Sequence, residues 1–212
     1  MYHISEVYAL EKINKLKLVE QIKKETGLEV DNFDVMVETE QYHVSHSQIW
    51  FDGGFDMRDS LENKMKFYRA AFELLSFLKR FIADAGEEEI YLGNFEDKTN
   101  YCDWSNKEEF DCFNVIKEEM DDTHCFKELY SEIGELLDYA VENNLRYLTE
   151  FEIYLPKSKT VISPECHTKL IFYSADNSTL SKRLKRVIKD NGFNDLETVK
   201  WIGDACTMLD EV

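Results

Sequence analysis

The residues of this chain best able to hold a metal or attack an electrophile are its five cysteines and five histidines, and their spacing limits what they can do. Structural zinc is advertised by ligand pairs about two to four residues apart, because a tight knuckle aims both at one ion. Cys102 and Cys112 are ten apart, and His124-Cys125 and Cys166-His167 are adjacent pairs whose side chains diverge in regular structure. His43 and His46, three apart in an expected strand, face opposite sides. None of these fits a metal, so the expectation is no metal and no cofactor, with the cysteines acting as small buried hydrophobes. A cysteine nucleophile needs a base and an orienting group, and an acidic neighbourhood raises a thiol pKa and opposes activation. Cys206, in phase with Ile202 and Leu209, reads as core.

The densest run of polar chemistry is Trp104–Cys125, WSNKEEFDCFNVIKEEMDDTHC, which packs seven acids into 22 residues. A calcium loop needs alternating oxygens and a glycine for its sharp turn, and this run has neither. Ser105 and Glu108 instead form a capping box, and the acids near Asp121 complement the start of a following helix. The run belongs to a wider asymmetry. Residues 91–150 carry a net charge of −11 and residues 31–60 carry −6, out of −18 for the chain. A field of one sign argues against binding nucleic acid through its phosphates, which takes Lys and Arg, and favours a basic partner.

Glu108, Glu109, Glu118, Glu119, Asp121, Asp122, Glu128, Glu132, Glu135 and Asp138 are therefore the expected partner-binding residues. They are placed on two adjacent helices, where carboxylates can stand in for the phosphates of a nucleic acid. Tyr91, Phe95, Tyr101, Trp104 and Phe110, interleaved with acids, could supply apolar anchors. The exception to the acidic rule is SKRLKRVIKD, in which Lys182, Arg183, Lys185, Arg186 and Lys189 form a basic patch. That patch could take a phosphate or an acid, or dock on the acidic surface of a second copy to give a homodimer.

Elements must position these groups. Lys15–Thr26 reads as a helix capped by Asn14 and closed by Gly27, and Leu61–Ala85 as a long helix ended by Gly86. Further helices are expected after Ser105, over Phe126–Glu142, over Thr179–Asn191 with Ser178 as cap, and after Asp195. Strands are expected over Phe33–Glu40 and Gln41–Phe51 with a turn at Asp52-Gly53-Gly54, at Glu89–Asn94, over 149–155, at Val161-Ile162 and over Lys169–Ser174. The expected fold is α+β: an antiparallel sheet of hairpins packed with about five to six helices. It forms one domain over 1–212, with possible sub-lobes at 1–100 and 101–212.

The chain has no run of 18 apolar residues, no signal-peptide pattern, and an odd, irregularly spaced set of thiols, which together suggest a cytoplasmic protein. It also lacks a nucleophile elbow, a phosphate-cradling glycine loop and a dinucleotide fingerprint. The functional expectation is a non-enzymatic acidic inhibitor of a basic, nucleic-acid-handling protein. A phage or mobile-element anti-defence protein acting as a nucleic-acid mimic is its concrete form. The alternatives are a bacterial immunity protein that neutralises a toxin, and a hydrolase or metal-dependent enzyme built from scattered acids and Cys/His residues.

Overall fold

The computed structural model describes residues 11–31, 34–35, 40–49, 60–97, 124–129, 137–138, 141, 144–145, 149–165, 168–202 and 205–208. In chain order the elements are β1 (Glu11–Asn14), α1 (Lys15–Thr26), β2 (Val30–Asp31), β3 (Asp34–Val35), β4 (Gln41–His46) and α2 (Leu61–Ala85). Then follow β5 (Glu89–Asp97), β6 (His124–Leu129), β7 (Thr149–Leu155), β8 (Thr160–Glu165) and β9 (Lys169–Ser174). The last are α3 (Asn177–Asn191), β10 (Leu196–Ile202) and β11 (Ala205–Met208).

Nine strands form one antiparallel sheet in the order β1-β6-β5-β7-β8-β9-β4-β10-β11, and β2 pairs with β3 as a separate short hairpin. The large sheet interleaves the two halves of the chain, since β5 lies between β6 and β7, and β4 between β9 and β10.

Period-two alternation gives this sheet two different faces. On the first, Phe126, Leu92, Ile153, Ile162, Phe172 and Tyr42 form one cross-strand row over six strands. α2 and α3 cover that row. α2 buries Phe67, Ala70, Ala71, Leu74, Phe77, Leu78, Phe81, Ile82 and Ala85, a helical repeat without a break. α3 adds Leu180, Leu184 and Val187. Phe77 and Phe81 meet Phe172 edge-on, with centroids 6.1 and 4.9 Å apart. Each fully buried side chain of this size stabilises the fold by about 1.5–3 kcal/mol relative to exposure. On the second face α1 lays Leu18, Val19 and Ile22 over Tyr91, Cys125, Tyr154 and Val161.

The helix ends follow local chemistry. Asn14 Oδ1 accepts from the Lys17 amide at 3.1 Å, and Ser60 Oγ from the Asn63 amide at 3.1 Å. Gly27, Gly86 and Gly192 close the three helices with φ near +70°, where a side chain would be strained. At Gly86 a Cβ would also meet Lys157 Nζ at 3.1 Å. No described helix is long and apolar enough to cross a membrane.

Three corrections to the expected fold arise here. Among the described residues only three helices are traced end to end, against the five to six expected. Phe126–Glu142 is not one helix: His124–Leu129 is strand β6, bonded to β5 on one side and β1 on the other. Its helical stripe required Leu129 to be buried with Phe126, yet Leu129 is 44% exposed and Phe126 2%. Helix does occur at Leu137, Asp138 and Val141, within the expected span, and at Asn144 and Leu145, past its expected end, with Leu137, Val141 and Leu145 in the main core. The expected last helix is instead β10 and β11, because β10 finds six pairing residues on β4, an alternative that local periodicity does not reveal.

Smaller differences are of extent. β3 is described at Asp34–Val35, β8 reaches Glu165, and Asp176 rather than Ser178 caps α3, accepting from the Thr179 amide at 3.0 Å. The turn at 52–54 and the capping box at 105–108 lie outside the described residues.

Candidate functional site

The described chemistry concentrates around β4, whose two histidines point to opposite faces of the sheet as their spacing required. His46, at the end of the strand, lies on the α2 face with its side chain 1% exposed. Its Nε2 is 3.4 Å from Glu73 Oε2 on α2 and 3.9 Å from Asp195 Oδ2, just ahead of β10. Asp195 Oδ2 also accepts from the Arg69 guanidinium at 2.7 Å, and its carbonyl accepts from the Ser47 amide at 2.8 Å. Imidazole and two carboxylates within 4.8 Å of one another are a donor set that a divalent cation can use.

The hydrogen bonding decides otherwise. His46 Nδ1 accepts from the Gln48 amide at 3.1 Å, so the neutral ring carries its proton on Nε2. The ring therefore turns its N–H toward Glu73 and Asp195 without a hydrogen bond to either, whereas a metal needs a lone pair there. Ligating histidines normally do the reverse, donating the second N–H to an oxygen behind them. Arg69 already supplies positive charge to the same carboxylate. The cluster works as a polar clamp joining β4, α2 and the start of β10.

His43 lies on the second face, 7% exposed and stacked on Trp201 with centroids 5.0 Å apart and planes 16° apart. Burial, helped by nearby Lys169, pushes its imidazole down to about 3, so the ring is neutral. One cross-strand row carries Glu152, Ser163, Ile171 and His43 in turn. Ser163 Oγ is 3.4 Å from Glu152 Oε1. Serine, histidine and carboxylate thus share a face, but Ile171 separates Ser163 from His43. Two strand spacings put them about 10 Å apart, too far for the imidazole to take the hydroxyl proton. Lys169, whose pKa burial lowers, pairs with Glu165 at 2.5 Å on the same face.

The expected partner-binding acids fall into two groups. Glu108, Glu109, Glu118, Glu119, Asp121, Asp122, Glu132 and Glu135 lie outside the described residues. Glu128 is not on an outer helical surface. It is 5% exposed on β6, opposite Ile90 on β5. Asp138 is half-buried and paired with Lys79 at 2.5 Å. Of the proposed anchors, Tyr91 is core: it is 8% exposed under α1 and donates to Glu89 at 2.7 Å. Phe95 is on β5, with its side chain outside the description, and Tyr101, Trp104 and Phe110 lie outside it altogether.

Lys182, Arg183, Lys185, Arg186 and Lys189 all lie on α3. Arg183 and Arg186 are held by Asp84 of α2, and the Arg183 guanidinium sits 5.9 Å over the Phe81 ring. Lys182, Lys185 and Lys189 remain exposed.

Cys125 is buried beneath α1, its thiol directed at the Ile13 carbonyl at 3.5 Å. Burial pushes that thiol up to about 11, which suits packing and not nucleophilic or metal chemistry. Its neighbour His124 occupies the opposite face of β6, while Cys102, Cys112, Cys166 and His167 lie outside the described residues. The His46–Glu73–Asp195 cluster has no sequence signature, because its members come together only through the β4–β10 pairing and the packing of α2. No known protein family, curated protein or solved structure matches this chain.

Proposed function

We propose that this protein is a non-enzymatic acidic binding protein whose target is a basic, nucleic-acid-handling protein, and that it acts in the cytoplasm. The observation that carries the reading is how its cations are used. Lys79 pairs with Asp138, Lys127 with Glu89, Lys169 with Glu165, Lys200 with Glu40, Arg69 with Asp195, and Arg186 with Asp84. These six of the chain's 25 Lys and Arg are held within the fold, and the excess of 43 acids over 25 bases leaves a net −18 of carboxylate for the surface. Such a surface attracts a basic groove at long range and competes there with phosphates. A phage anti-defence protein and a toxin-neutralising immunity protein would both work by this physics.

The test is capture of partners from a bacterial lysate on the immobilised full chain at rising salt, followed by competition with duplex DNA for the captured protein. A basic protein lost at high ionic strength and displaced by DNA supports the reading. A salt-insensitive partner, or a partner that binds DNA and this chain at once, overturns it. Replacing Glu118, Glu119, Asp121 and Asp122 by lysine should weaken capture about tenfold or more while leaving the circular dichroism spectrum unchanged.

A further inference from the structure

α2 has a second side that the core touches at Leu75. Leu61, Met65, Tyr68, Phe72 and Leu75 recur at intervals of four, three, four and three residues, a period of 3.5. That is the a/d seam of a helix that pairs with another helix, and Lys79 continues it. Four of these side chains are largely bare: Leu61 is 75% exposed, Met65 66%, Tyr68 45% and Phe72 72%. Beside them runs a groove of about 370 Å³ between α2 and the helical residues Asp138 and Val141.

We propose that α2 pairs antiparallel with α2 of a second copy of this chain, about a two-fold axis near the middle of the helix. The surface is self-complementary, as an isologous interface must be: Phe72 is the projecting knob, and the groove beside it is the hole. With Tyr68 set against the partner's Phe72, Met65 faces the partner's Leu75. Leu61 and Glu62 then reach the partner's Lys79. The charges choose this direction: antiparallel pairing brings Glu62, which pairs with Lys66 in its own helix, beside the partner's Lys79, which pairs with its own Asp138, twice over, whereas a parallel pair sets each charge on its own kind.

The four bare side chains expose roughly 500 Å² of apolar surface, at the upper end of what a monomer leaves uncovered. With the polar stems beside them, this approaches the ~800 Å² per partner of a standard interface. The helix is also where two acidic chains repel least: α2 holds five bases and three acids in a protein of net charge −18.

Sedimentation equilibrium of the full chain through the micromolar range tests the proposal. A monomer–dimer equilibrium is expected, with Phe72→Glu weakening it at least tenfold and leaving the circular dichroism unchanged, because Phe72 faces away from the core. Met65→Glu reads the same seam about two turns earlier and should act likewise. Glu62→Lys should weaken the dimer a few-fold, and adding Lys79→Glu should restore it. A chain that stays monomeric throughout overturns the proposal and leaves the stripe to a different protein. So does a dimer indifferent to both Phe72→Glu and Met65→Glu, while a double charge swap that fails to restore association overturns the antiparallel direction.

Discussion

Ile171 and Phe172 are neighbours on β9, one on each face of the sheet, and they live in different environments. Phe172 is fully buried in a continuous apolar layer under α2 and α3. Ile171 is half-buried in a row with Glu152, Ser163 and His43. The apolar layer beneath α1 occupies the same face but draws on β6, β5, β7 and β8. Beyond it that face carries histidine, lysine and carboxylate. The first face is therefore continuous apolar core, with His46 and Glu128 buried at its margins, and the other divides between packing and polar groups held at low exposure. A single strand can serve both, because successive side chains never share a side.

Substitutions can break or sharpen this contrast. Phe172→Ala should cost about 3–5 kcal/mol in urea unfolding, with Ile171→Ala costing clearly less. Equal losses would mean the second face is as well packed as the first. His43→Phe comes next and should show itself in acid. Folded His43 refuses the proton that the unfolded chain accepts near 6.5, so wild-type stability falls as pH drops from about 6.5 toward about 3. Phenylalanine keeps the stack on Trp201 and should flatten that decline, measured as the unfolding midpoint against pH. An unchanged slope would place the acid sensitivity elsewhere.

Tyr154→Phe removes the hydroxyl that donates to Glu25 at 2.8 Å and should cost about 1 kcal/mol, read from the same unfolding curves. Its partner lies on α1, so the loss should fall on the α1 layer and leave amide exchange of α2 unaltered. Arg69→Ala should have the smallest effect, about 0.2–1 kcal/mol and fading with salt, because its pair with Asp195 is solvent-exposed. A much larger loss would show that the guanidinium is essential to the His46 clamp.

Parts of this structure were legible one residue at a time. α1 and α2 keep their expected bounds because each signals its own ends, Asn14 and Gly27 for one and Gly86 for the other, around an unbroken helical repeat. β9 was equally plain, its period-two pattern bounded as expected. β6 misled because Phe126 and Leu129 have helical spacing, and β10 because Val199 and Ile202 do as well. The placement of Glu128 went with β6: a carboxylate on the outer side of a helix became a buried one facing Ile90.

The sequence by itself determined the ends of α1 and α2, the alternation of β7 and β9, the opposed directions of His43 and His46, and the excess of acid. These depend on neighbours within a few residues or on composition. Tertiary structure decided that His124–Leu129 and Leu196–Ile202 are strands, which cations are consumed by internal pairs, and that His46 meets Glu73 and Asp195. The physical reason is range. A helix satisfies its backbone within itself, whereas a strand's hydrogen bonds and a charge's partner come from residues that only the folded chain brings near.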